Sequence, residues 1–202
     1  MTPLTLIRTL RAAPFPGIEG GDVIVLEALF SGYNFANCEF ALIREALSAE
    51  LPGDISMSPF AKAYLQHIDS CDFVLGALEA LIISRFDKTT AEATTLTEAG
   101  FPALALSAFA QKRPGMILGE PTPGFLAASW LGFTLGASAV DPALGQRQQE
   151  ELDAFDRWVR GYYECPHAHW SRAIRVFGGS GLAGLDTFVR LWGEFERDGA
   201  RS

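Results

Sequence analysis

The sequence predicts a mainly α fold, a compact multi-helix domain, on three observations. Apolar residues recur at i, i+3, i+4 and i+7 through most of the 202-residue chain, the spacing that puts a stripe on one helix face. Thr2-Pro3, Ser58-Pro59 and Thr122-Pro123 each pair a capping side chain with a proline suited to a first helical turn. Few windows alternate as a half-buried strand would. "GDVIVLEALF" and "GFPALALSAF" are the ambiguous ones, because short apolar runs cannot be assigned by period alone.

In chain order, "TPLTLIRTLRAA" predicts a first helix with Leu6, Ile7 and Leu10 on one face. Asp22 is placed to cap a long apolar helix holding Leu26, Leu29, Phe30 and Tyr33 and running towards Leu47, before "LPGD". A helix carrying Phe60, Ala63, Tyr64 and Gln66 follows Ser58-Pro59, and Asp72 precedes one with Val74, Leu75, Leu78, Leu81 and Ile82. Short helices are expected over 90–98 and 102–110. Beyond Thr122-Pro123 comes "GFLAASWLGFTLGASA". The next segment, "QQEELDAFDRWVRGYY", sets Leu152, Phe155, Trp158 and Val159 on one side. "HWSRAIRVF" has Trp170, Ile174 and Phe177 on a stripe, and "GLDTFVRLWGEFE" has Leu185, Phe188, Trp192 and Phe195. Burying one such ring stabilises by roughly 2–3 kcal/mol, so these aromatics read first as core.

The halves resemble each other. Leu26, Ala28, Gly32 and Tyr33 match Leu126, Ala128, Gly132 and Phe133 at an offset of 100, each set after a Pro-Gly pair. Residues 1–100 and 101–202 then form two tandem pseudo-repeated helical units within one globule. Coincidence in an apolar helix stands beside that reading.

Composition narrows the function classes. At 49% hydrophobic and 20% charged residues, the chain can bury a sizeable core. The net charge is −8, with 6 Lys/Arg against 13 Asp/Glu in residues 1–100 and 10 against 11 thereafter. Such a surface disfavours nucleic acid and anionic membrane and suits a basic partner. Three scattered cysteines, Cys38, Cys71 and Cys165, predict a reducing compartment. The N-terminus lacks the apolar run of a signal peptide, and about 18 uninterrupted apolar residues occur nowhere, so a cytoplasmic location is expected.

Chemistry-bearing clusters are sparse. "ECPHAHW" gathers Cys165, His167 and His169, borderline metal ligands, but structural zinc takes four ligands and His67 is the only other histidine. That loop is the candidate for a small-ligand or metal-binding alternative, with a turn as its plainer reading; no cofactor is expected. "GGSGLAG", Gly178 to Gly184, lacks the lysine and preceding strand of a phosphate loop and reads as a helix connection. The same test turns "QKRPGMILGEPTPGF" into a bend between helices. Glu150, Glu151, Asp153 and Asp156 form an acidic run at the expected start of a helix, a solvated face or a docking surface for a basic partner. Glu19 and Asp22 join them as candidate partner-binding residues, because the first half carries the acidic excess.

From "KRPGMILG" onwards the second half resembles a family of small bacterial proteins found beside polymorphic toxins, which look like toxin-immunity proteins. The resemblance spans about residues 109–197. It lies on Arg113, Pro114, Gly115, Met116, Leu118 and Gly119, on Gly132, on Phe155 and Trp158, and on Trp170 and Ile174. It closes on Leu185, Phe188, Leu191, Glu194 and Phe195, with Trp192 inside that last helix. Ile117, Arg175 and Val189 depart from the family pattern, which has Tyr, Ile and Phe there. The resemblance implies a non-enzymatic protein that neutralises a cognate protein toxin by stoichiometric binding; the acidic charge implies that the toxin is basic.

Overall fold

The computed structural model describes residues 3–12, 23–36, 75–76, 78–80, 82–83 and 122–199. Helices expected over 58–66, 90–98 and 102–110 lie outside these residues. So do Glu19, Asp22, the Arg113, Pro114, Gly115 and Gly119 bend, and two of the cysteines. The chain is mainly helical, with no strand among the described residues. The ambiguous "GDVIVLEALF" is helical from Val23 onwards.

Helix α1 spans Pro3–Ala12 and α2 spans Val23–Ala36. Leu6, Ile7 and Leu10 of α1 meet Leu26, Leu29, Phe30 and Tyr33 of α2 in one buried cluster, as their spacing predicts. Leu75, Leu78 and Ile82 join it from helical backbone in the 75–83 region. At its margin Arg8 Nε and Arg11 Nη1 donate to the Glu79 carboxylate at 2.8 and 2.6 Å. Those two hydrogen bonds hold the Glu79 pKa below the usual carboxylate value of 4.5.

Helix α3, Pro123–Val140, starts where the sequence places it: Thr122 Oγ1 accepts the Phe125 N–H at 3.2 Å and Pro123 fills the first turn. Eighteen residues without a charge make α3 long and apolar enough to cross a membrane by length and composition, which differs from the sequence expectation. Burial accounts for that composition, since 61% of the helix is inside the protein and its two sides serve different cores. Ala128 packs with the α1–α2 cluster. Leu126, Ala127 and Trp130 pack with the C-terminal helices, and Phe133 and Ala137 meet Ala36 and Leu144.

The seam between α2 and α3 is made by glycine. A Cβ on Gly32 would overlap the Ser129 carbonyl, and one on Gly132 would overlap that of Leu29. Ser129 and Gly132 stand 100 residues after Leu29 and Gly32, so the contact maps onto itself when the helices are exchanged. Two-fold interfaces have that reciprocal form.

Three more helices complete the second half: α4 Pro142–Tyr162, α5 Trp170–Phe177 and α6 Gly181–Gly199. Asp141 caps α4, accepting from the Ala143 and Leu144 N–H groups at 3.0 and 3.2 Å, and Pro142 follows at the first position. The helix therefore begins well before Glu150. The acidic run occupies its middle and gains nothing from the positive helix end, a correction to the sequence expectation. Phe155 is the hub of the core here. Its ring lies 5.0 to 6.5 Å from those of Trp130, Trp158, Trp170, Phe188, Trp192 and Phe195. Trp170 and Trp192 are buried, whereas Trp158 is half-buried and donates its Nε1–H to Asp198 at 3.1 Å.

Candidate functional site

Glutamine governs the solvent side of α4. Gln146 Nε2 donates to Glu150 at 2.8 Å, Gln149 Nε2 to Asp153 at 2.8 Å, and Gln148 Nε2 to Glu151 at 3.3 Å. Each pair is spaced i, i+4 or i, i+3, where side chains on one helix meet. An amide orients a carboxylate by hydrogen bonding without bringing a compensating charge. Glu151 also lies beside Glu196 of α6. Burial first, and the repulsion of Glu196 second, push its pKa above the usual 4.5, against the pull of the Gln148 hydrogen bond. Glu150, Asp153 and Glu196 thus present exposed carboxylates on two adjacent helices, and the Glu151 carboxyl is partly desolvated beside Glu196.

Asp156 points elsewhere. Its Oδ1 accepts the Trp170 N–H at 2.7 Å and its Oδ2 pairs with Arg160. The side chain is only partly exposed and holds the first turn of α5 against α4. Sequence spacing placed it with the other acids; the structure separates it from them.

The Cys165–His169 loop is organised around the same turn. His169 caps α5, its Nδ1 facing the Ser171 N–H at 3.4 Å and the Ser171 Oγ at 2.9 Å. Accepting the N–H requires a neutral ring with its proton on Nε2. Desolvation lowers the His169 pKa from 6.5, partly opposed by Asp156 and reinforced by Arg160. Cys165 packs against the aromatic cluster while His167 is exposed. Among the described residues no group of three or more His, Cys, Asp or Glu is placed to hold a metal. Chemically the loop acts as a helix cap.

"GGSGLAG" is the turn from α5 to α6. Gly179 and Gly181 take φ of 97° and 60°, the left-handed region open to glycine. The Thr187 hydroxyl donates back to the Gly178 carbonyl at 3.1 Å and pins the two helices together.

Sequence reasoning missed a second surface. Phe177 was expected on the buried stripe of α5, but it ends the helix at 58% exposure and stacks on Tyr163 with centroids 4.8 Å apart. Tyr163 meets Tyr162 at 5.0 Å. Arg190 of α6 lies 5.8 Å over the Tyr162 ring and donates to its hydroxyl at 3.1 Å and to Glu194 at 2.7 Å. A readable signal was present: Phe177 precedes two glycines, and a ring at a helix terminus has less core to face.

Comparison of the chain with protein-family models, with curated proteins and with solved structures finds no match.

Proposed function

We propose that this chain is a non-enzymatic, cytoplasmic interaction protein that neutralises a cognate protein toxin by stoichiometric binding. One observation carries the reading: the Glu150, Glu151 and Asp153 carboxylates are oriented by neutral glutamine donors. Surface carboxylates paired with arginine on their own helix would meet a cationic partner half-neutralised and would first have to break that pair. Here the hydrogen-bond donors are amides, which bring no compensating charge, and part of the side-chain ordering is done before encounter. A basic, nuclease-like toxin has the complementary surface, and covering its cationic substrate groove would block it. The motif order over residues 109–197 supports the same role by resemblance.

The test is direct. The genes neighbouring this one are read for a toxin-like open reading frame, whose product is then purified and titrated with the protein by calorimetry, and the pair is co-expressed. Expected are one-to-one binding, protection of the host cell, and an association rate that falls steeply with salt. Glu150→Gln with Asp153→Asn is expected to slow association about tenfold while leaving the fold unchanged. No binding and no protection by the native protein would sink the proposal.

A further inference from the structure

The structure shows what covers one face of α3: it is α2, seated against a stripe of small residues. That stripe is Ala128, Gly132 and Gly136, each four residues from the next and all buried. Its counterpart on α2 is Ala28, Gly32 and Ala36, also buried, one hundred positions earlier. Small residues at this spacing let two helix backbones approach closely.

The contacts between the stripes repeat when the helices are exchanged. A Cβ on Gly136 would lie 2.5 Å from the Tyr33 carbonyl oxygen, while Ala36 shares a buried cluster with Phe133. With Gly32 on Ser129 and Gly132 on Leu29, four pairs result. Their residue numbers differ by 97 (129 − 32, 133 − 36) or by 103 (132 − 29, 136 − 33), evenly about 100. The numbers rise together, so α2 and α3 run parallel, although 86 residues, 37 to 122, lie between them. Each helix therefore carries both sides of the contact, the condition for pairing with its own copy about a two-fold axis.

The two helices differ in how well they meet that condition. Paired with itself, α3 sets Gly132 against the Ser129 carbonyl of a second copy and Gly136 against that of Phe133. Glycine stands at both close approaches. Paired with itself, α2 brings the Ala36 methyl onto the Tyr33 carbonyl, at the place Gly136 now fills without a Cβ. Leu126, Ala127 and Trp130 face the C-terminal core, so that core keeps its cover when α3 changes partner.

We propose that the α2–α3 seam is a two-fold dimer contact held within one chain, and that α3 accepts α3 of a second copy when α2 is displaced. In the native chain, covalent linkage gives α2 the higher effective concentration, and the internal pair wins. The carboxylates of α4 take no part, so this pairing and toxin binding can each fail without the other.

Sedimentation velocity and far-UV circular dichroism on variants of the whole chain test the proposal. Gly32→Leu drives a side chain into the Ser129 carbonyl and displaces α2. It is expected to sediment at twice the parent's mass and to keep most of its helix. Adding Gly132→Leu should restore the parent's mass, and Gly132→Leu alone should leave it unchanged. Gly32→Ala, a smaller wedge with the same expected doubling, takes over if Gly32→Leu loses its helix. Four results overturn the proposal: parent mass in a helical Gly32 variant, a doubling that survives Gly132→Leu, a doubling in Gly132→Leu alone, or loss of helix in both Gly32 variants.

Discussion

Phe155 and Asp156 are neighbours in sequence with opposite tasks. Phe155 is fully buried among six aromatic rings, so truncation removes packing on every side. Phe155→Ala is expected to cost about 3–5 kcal/mol in urea unfolding. Asp156→Ala removes a cap from the Trp170 N–H and a partner from Arg160, and is expected to cost about 1–2 kcal/mol. Asp153→Ala, at an exposed position held by Gln149, should stay within about 0.5 kcal/mol of the parent. Equal losses at 153 and 156 would contradict this division. The sequence groups both as one acidic run, because helical spacing says which face a residue occupies only when the neighbouring helix is known. That helix, α5, reaches α4 through the Cys165–His169 loop, and nothing local in "LDAFDRW" announces it.

Helices α1 and α3 were legible from Pro3 and from Thr122-Pro123, and α2 and α6 from the spacing of their apolar residues. Asp141-Pro142 was equally legible as the start of α4, yet the charged run downstream is the louder signal. Helix α5 was half legible: Trp170 and Ile174 are buried, but eight residues end before Phe177 can return to the stripe. Its capping makes it sensitive to acid. The folded state holds His169 neutral with a pKa below 6.5, so below pH 6.5 the unfolded chain binds the proton first. This contribution to stability is complete above pH 6.5 and is lost as pH falls towards the lowered value. His169→Asn keeps a side-chain acceptor without a titrating ring. Urea midpoints at pH 7.5 and pH 5.5 should therefore differ less in the variant than in the parent; an equal difference would count against the cap.

The α2–α3 seam sets the tolerance of both helices. Gly32→Ala and Gly132→Ala each drive a methyl into a backbone carbonyl, and each is expected to lower stability by about 3 kcal/mol or more. Gly193 of α6 has open space around it, so Gly193→Ala should raise stability by about 0.5–1 kcal/mol. Melting temperatures of the three variants would separate close approach from helix propensity.

At the scale of the molecule, charge is divided and the core is shared. The glutamine-steadied acids lie along the middle of α4, so both salt and Glu150→Gln should slow the association proposed for them. Composition made the acidic excess readable but not its placement, since a net charge averages over surfaces that a partner meets separately. The shared core has a consequence during synthesis. Helix α2 is complete about 100 residues before the matching face of α3 exists. At roughly 5–20 residues per second, Gly32 and its neighbours wait on the order of 5–20 s for the surface they fit. Through that interval α1 can cover one side of α2 while its glycine face waits for α3, which gives a ribosome-associated chaperone reason to hold that face.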